Sequence, residues 1–271
     1  EDRMINFKLA ADFYGLSLIL GGCEVTMWDL AAVYASMARS LNHQAKNHGK
    51  LDAKDFHPPK YQTLTTNYKL QTTNIPLDAT SIWFAFNAMQ DVMRPGEEGL
   101  WQQFSSSQKI AWKTGTSFGF RDGWAIGVTP KNVVAVWVGN TDGEGRPGLV
   151  AVQTAAPVLF DIFRLLPNNK WFEKPNYNYS FVPVCRQSGY RANIDCPDVD
   201  TLFSPPNGLK APLCPYHKVI HLDATGDFRV TEDCETPSNM QLKSWFILTP
   251  AMEYYYKQRN IDYAPLPPFK P

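Results

Sequence analysis

Ile110-Ala111-Trp112-Lys113-Thr114-Gly115-Thr116-Ser117 is the stretch on which the reading of this chain turns. Apolar residues lead into a lysine, and Thr-Gly-Thr follows. Gly119-Phe120-Arg121-Asp122-Gly123 then breaks the run with turn-forming residues. Trp124–Val128 and Asn132–Gly139 are rich in β-branched and aromatic residues, and Thr129-Pro130-Lys131-Asn132 separates them. Three strand-like runs joined by tight turns predict an antiparallel meander.

A Lys-Thr-Gly at a sheet edge has a chemical use. Lys113 presents a compact cation to a substrate carboxylate. Thr114 and Thr116 offer hydroxyls. Gly115 lets a ligand approach the backbone, and the Thr116 amide is placed to donate to a developing oxyanion. The plainer alternative is a lysine and two threonines on an ordinary strand, and the tripeptide alone is a weak signal.

The 271 residues suffice for one large domain or two smaller ones. A hydrophobic content of 44% with 21 prolines describes a globular, loop-rich protein. Zero formal net charge gives no broad electrostatic pull toward nucleic acid or an anionic membrane, and no nucleic-acid partner is expected. No apolar run approaches the roughly 20 residues needed to span a bilayer. The chain opens Glu1-Asp2-Arg3 without an initiator Met, so a piece of a longer protein or a processed product is expected.

Thr26-Met27-Trp28-Asp29 is a capping-box-like start, and Leu30, Ala31, Tyr34, Met37 and Leu41 recur at helical spacing. A helix is predicted from about Thr26 to Leu41. Residues 43–60 are polar with a Pro pair and predict a loop, and Tyr61–Leu70 could hold a short hairpin. Asp78–Met93 predicts a second helix, ended by Arg94-Pro95-Gly96. Glu97–Ser107 reads as a loop. Thr154–Leu166 predicts a third helix, stopped by Pro167 and packed across one face of the sheet. Beyond Lys170 the chain holds most of the prolines, four of the five cysteines and many aromatics, which predicts a small irregular, mostly β module with a late helix at 250–258 and an extended tail.

The surroundings of Lys113 are more specific than the tripeptide. Ala111 to Asp122, Trp124-Ala125-Ile126-Gly127-Val128-Thr129-Pro130, Val136-Trp137-Val138-Gly139-Asn140 and Asp142-Gly143-Glu144-Gly145-Arg146-Pro147-Gly148 together resemble the end of a penicillin-binding transpeptidase domain, nearest the penicillin-binding proteins of the 1C type. The resemblance covers about residues 12–166, and extends less specifically into the cysteine-rich part. It implies an α+β fold: a three-strand antiparallel meander of a transpeptidase sheet packed with helices (1–168), then the cysteine-rich module (169–271).

The resemblance also implies a serine acyl-enzyme D,D-transpeptidase that cross-links peptidoglycan, is inhibited by β-lactams and uses no cofactor. Lys113 and Thr116 would be catalytic, and Thr114, Gly115 and Ser117 would bind the D-Ala-D-Ala end of a stem peptide. Arg121, Asp122, Glu144 and Arg146 would line the cleft rim, the alternative being a turn ion pair and a plain surface loop. The acylated serine is expected upstream of Glu1, on a missing N-terminal part that would also complete the sheet, so this chain alone would be inactive. Ser106-Ser107-Gln108-Lys109 has Ser-x-x-Lys spacing but runs into the Lys113 strand. Ser40-Leu41-Asn42 has Ser-x-Asn spacing but ends a helix. The parent would be periplasmic and anchored in the bacterial inner membrane. A non-catalytic cell-wall binding or scaffolding module is the rival reading.

In an extracytoplasmic protein, Cys185-x10-Cys196 and Cys214-x19-Cys234 fit disulfides, with the sequential pairing favoured and no metal. Two alternatives stand beside it: free thiols, or zinc held by Cys185, Cys196 and the Cys214-Pro215-Tyr216-His217 pair. Cys23 is expected as a buried apolar residue. His43, His48 and His57 are expected as solvated loop residues, and Trp112, Trp124 and Trp137 as core.

Overall fold

The computed structural model describes residues 11–47, 49, 52–57, 59, 77–95 and 108–271. They divide into two compact units, Glu1–Asn178 and Tyr179–Pro271. The predicted loop 97–107, the hairpin 61–70 and His48 lie outside the described residues.

The first unit opens with α1 (Ala11–Tyr14) and a 3-10 turn at Gly15–Leu20, followed by α2 (Met27–Lys46) and α3 (Ala79–Gln90). Both long helices start where a short polar side chain can accept an orphan amide. Thr26 Oγ1 accepts from the Asp29 amide at 3.0 Å, and Asp78 Oδ1 from the Ser81 amide at 2.9 Å. α2 runs to Lys46 rather than stopping at Leu41, so His43 lies on a helix. His43 is paired with Asp55, which is buried in a 3-10 turn at Ala53–Asp55; this corrects its expected place in a solvated loop.

β1 (Ala111–Thr116), β2 (Asp122–Val128) and β3 (Val133–Gly139) form an antiparallel sheet in the order β1-β2-β3, as the turn spacing predicted. The Thr129–Asn132 turn is closed by the Thr129 amide on the Asn132 carbonyl at 2.8 Å. α4 (Ala151–Leu165) lies across one face, three residues longer at its start than predicted and with Pro157 inside it.

Alternation along the strands splits the apolar residues between the two faces. Trp112, Ala125, Val134 and Val136 pack against Ala155, Ala156, Leu159, Phe160 and Phe163 of α4. Ala111 and Val128 pack on the other face with Ala38 and Leu41 of α2, Ile82 and Phe86 of α3, and Phe172 beyond α4. Trp112 is fully buried, edge-on to Phe160 at 5.0 Å, and its indole N–H donates to the Val92 carbonyl at 3.2 Å. Burying an aromatic of that size removes about 150–250 Å² from water. A sheet covered on both faces is fixed in register, so the β1 edge sits on a rigid support.

The second unit consists of two separate two-stranded antiparallel pairs. β4 (Ser180–Cys185) pairs with β5 (Val199–Ser204), and β6 (His217–Leu222) with β7 (Gln241–Phe246). α5 (Pro250–Lys257) follows, as expected for the late helix, and Tyr256 packs on Phe246 and Tyr263. The tail meets the module through Arg229, whose amide donates to the Pro268 carbonyl at 2.8 Å and whose guanidinium stacks 4.0 Å from the Phe269 ring. The whole is α+β, with antiparallel sheets. No helix among the described residues is long and apolar enough to cross a membrane.

Candidate active-site strand and candidate metal centre

β1 is the outer strand of its sheet among the described residues. The Ser117 amide donates to the Asp122 carbonyl at 3.0 Å, which sets the phase of the β1–β2 ladder. Because amides alternate along a strand, those of Lys113, Gly115 and Ser117 point toward β2, and those of Thr114 and Thr116 point away from it, along the outer edge. Side chains alternate in the same way. Lys113 and Gly115 share one face, and Thr114 and Thr116 share the α4 face.

Lys113 is exposed, and its ammonium donates to the Thr114 carbonyl at 2.6 Å. That carbonyl is a neutral partner, and a carboxylate would make a stronger one. A Cβ added at Gly115 would meet nothing within 4 Å, so the space beside the lysine is open. A carboxylate-ended chain lying along this edge would meet the Lys113 cation, the Thr114 carbonyl and the Thr116 amide in sequence.

The neighbouring residues are tied into turns. Ser117 Oγ accepts from the Asp122 amide at 2.8 Å. Asp122 Oδ1 accepts from the Trp137 indole at 2.9 Å, so its carboxylate locks β2 to β3. Arg121, Glu144 and Arg146 are exposed. The Arg146 amide donates to the Phe120 carbonyl at 3.1 Å, which holds the 140–148 loop against the hairpin that follows β1. Phe120 and Gly119 take positive φ, 56° and 78°, at the tip of that hairpin. Thr116 Oγ1 accepts from the Ala151 amide at 3.0 Å.

The Ser40-Leu41-Asn42 spacing is not brought to this edge. Ser40 is buried in α2, and Asn42 Nδ2 donates to the Pro130 carbonyl at 2.7 Å, which secures the β2–β3 turn. Ser106 and Ser107 lie outside the described residues.

The cysteines depart from expectation. All five are free thiols, so neither Cys185–Cys196 nor Cys214–Cys234 is bridged. The reason is local. Cys234 is exposed and sits in its own turn, accepting from the Thr231 amide at 3.3 Å. Cys214 instead turns inward toward Cys185, Cys196 and His217, and the four ligand atoms all lie within 4.8 Å of one another. Cys185 Sγ is 3.3 Å and Cys214 Sγ 3.5 Å from His217 Nδ1. Cys23 is half-buried.

Three elements build this cluster. Cys185 ends β4, Cys196 follows a loop, and Cys214-Pro215-Tyr216-His217 leads into β6. Asn193 pins the loop: its Nδ2 donates to the Cys214 carbonyl at 2.7 Å and the His217 carbonyl at 3.2 Å, and its amide to Cys196 Sγ at 3.4 Å. Burial pushes the Cys196 thiol up to about 12, with the neighbouring Cys214 and Cys185 adding to it. Burial also opposes ionisation of Cys214. There the donors prevail, Ser188 Oγ at 3.2 Å with the His217 and Tyr216 amides, and the thiol falls to about 6. The arrangement can hold a thiophilic cation; the sequence signal for it was the Cys-x-x-His spacing, while Asn193, Ser188 and Gln187 carried none.

No family model matches the sequence. Over 152 residues, 56% of this chain, it is 32% identical to penicillin-binding protein 1C of Escherichia coli (strain K12). The chain spans 17% of that protein's length. The resemblance read from the Lys113–Gly148 stretch and the likeness to a whole curated protein thus agree: the chain is similar to part of a penicillin-binding protein of the 1C type.

Proposed function

We propose that this chain supplies the Lys-Thr-Gly wall of the active site of a peptidoglycan D,D-transpeptidase working through a serine acyl-enzyme. The observation that carries the reading is the outer edge of β1, where the exposed Lys113 ammonium, the open space at Gly115 and the outward Thr116 amide lie within four consecutive residues. Similarity to penicillin-binding protein 1C supports the substrate class.

In this reading a stem peptide ending in D-Ala-D-Ala, or a β-lactam, lies along β1. Lys113 binds its carboxylate with help from Thr114, and the Thr116 amide donates to the carbonyl oxygen as negative charge develops there. The serine that attacks that carbonyl comes from sequence outside these 271 residues. The terminal D-Ala leaves, and an amine acceptor takes the acyl group. Arg121, Glu144 and Arg146 form the rim, and the parent acts in the cell envelope on the periplasmic side of its membrane anchor. The unit Glu1–Asn178 belongs to the transpeptidase domain and the unit Tyr179–Pro271 is an accessory module.

Fluorescent penicillin labelling of the full-length parent tests the reading. Lys113 is exposed, so Lys113→Ala should fold normally and lower labelling by about tenfold or more, the cost of losing a hydrogen bond to a charged group. Labelling that is unchanged in a folded Lys113→Ala protein overturns the role and returns the chain to a non-catalytic wall-binding module.

A further inference from the structure

We propose that Cys185, Cys196, Cys214 and His217 form a closed, structural zinc site. The site lies in the second unit and is independent of the transpeptidase reading.

Distances favour a tetrahedral ion. Zn–S bonds of about 2.3 Å and a Zn–N bond of about 2.0–2.1 Å set the edges of the tetrahedron at about 3.5–3.8 Å. The two sulfur-to-Nδ1 separations, 3.3 and 3.5 Å, already fall near that range, and the longest pair in the cluster, within 4.8 Å, needs only a small side-chain rotation. An odd set of three thiols around one imidazole is poor disulfide chemistry, because any bridge among them strands the third sulfur beside His217. It is an ordinary donor set for zinc.

The histidine supplies a second line of argument. His217 is 3% exposed, with Nδ1 facing the sulfurs and Nε2 3.1 Å from Gln187 Oε1. An amide oxygen can only accept, so Nε2 carries the proton and Nδ1 presents its lone pair to the cluster. Orientation of a ligating imidazole by an acceptor on its far nitrogen is the usual outer-shell arrangement of metal sites. Hydrogen bonds to Cys214 Sγ from Ser188 and to Cys196 Sγ from the Asn193 amide disperse thiolate charge. Four protein ligands leave no position for water or substrate, so the metal's work is structural.

The test uses the full chain, purified without a metal-binding tag. Metal analysis should return one zinc per chain, and cobalt exchange should give sulfur-to-cobalt charge-transfer and tetrahedral ligand-field bands. Cys234→Ser and Cys23→Ser should keep the metal, and Cys214→Ser should lose it. Gln187→Ala, which removes no ligand, should weaken zinc binding about 10-fold or more in a chelator competition. Should Cys214→Ser fail to fold, the cobalt spectrum of the unsubstituted chain and the Gln187→Ala competition still decide. Metal-free protein, a mass two hydrogens low from a bridge among these cysteines, or a different resident metal would overturn the assignment.

Discussion

Thr116 caps a helix that begins thirty-five residues away: its Oγ1 accepts the amide of Ala151, the first residue of α4, at 3.0 Å. Val150 occupies the N-cap position and has no side-chain oxygen to offer. The end of β1 therefore performs the duty that Thr26 and Asp78 perform locally for α2 and α3. Thr116→Val should cost about 1 kcal/mol in urea unfolding, the ordinary value of an N-cap, while Thr116→Ser should cost little.

At Gly127 the side chains of α4 press directly on the sheet backbone. A Cβ there would stand 2.6 Å from Phe163 Cε2 and 3.2 Å from Leu159 Cδ2. Both side chains are fully buried and have nowhere to move. Gly127→Ala should destabilise by about 1–3 kcal/mol. The smaller side chain in Phe163→Leu should recover part of that loss, which a double-mutant cycle in denaturant would measure.

The 140–148 loop rests on the hairpin beyond β1 by close backbone approach. A Cβ at Gly145 would fall 2.0 Å from the Gly119 carbonyl oxygen. Gly145→Ala should push the loop away and break the bond from the Arg146 amide to the Phe120 carbonyl. Exchange of the Arg146 amide should speed up by about tenfold or more.

Asp122 and Trp137 separate a structural role from a rim role. With the carboxylate accepting from the indole at 2.9 Å, Asp122→Ala should cost about 1–3 kcal/mol through the unpaired donor. Asp122→Asn keeps an acceptor, so it should keep both stability and penicillin labelling of the parent. Loss of labelling at unchanged stability would reveal direct contact with substrate.

The His43–Asp55 pair predicts a pH dependence. Burial pushes the Asp55 carboxyl above its ordinary value, and His43 and Arg39 pull against it without prevailing. A raised native value means that the folded state holds the proton more tightly. The stabilising contribution is complete below the ordinary carboxylate value near 4 and fades as pH rises through the raised one. Denaturation of Asp55→Asn between these limits should lack that downward slope.

The meander was legible because its turns are written in local chemistry, Gly119-Phe120-Arg121 and Thr129-Pro130-Lys131-Asn132, and its strands in β-branched residues. The starts of α2 and α3 were legible for the same reason, each marked by a capping side chain. The start of α4 was not, because its cap sits on another element. The extension of α2 past Leu41 was hidden by polar residues, His43, Gln44 and Lys46, whose places are decided by what they meet in the fold: Gln44 is buried and His43 finds Asp55. At the candidate active strand, the residue types were readable at once, but which amides face outward follows from ladder phase, which no single strand encodes. For the cysteines, spacing alone favoured sequential bridges; only folding brings Cys185, at the end of β4, beside the Cys214–His217 turn.

The second unit's β4–β5 and β6–β7 pairs share no ladder. A lone hairpin is marginal in water, so neither ribbon is a folding unit in its own right. What joins them includes Arg191, which bridges Val184 and Leu213, Asn193, the bond from Ser244 Oγ to the Asp195 carbonyl, and the four side chains gathered near the ends of β4 and β6. Melting of this half of the molecule should therefore be all-or-none, with both ribbons lost in a single calorimetric step.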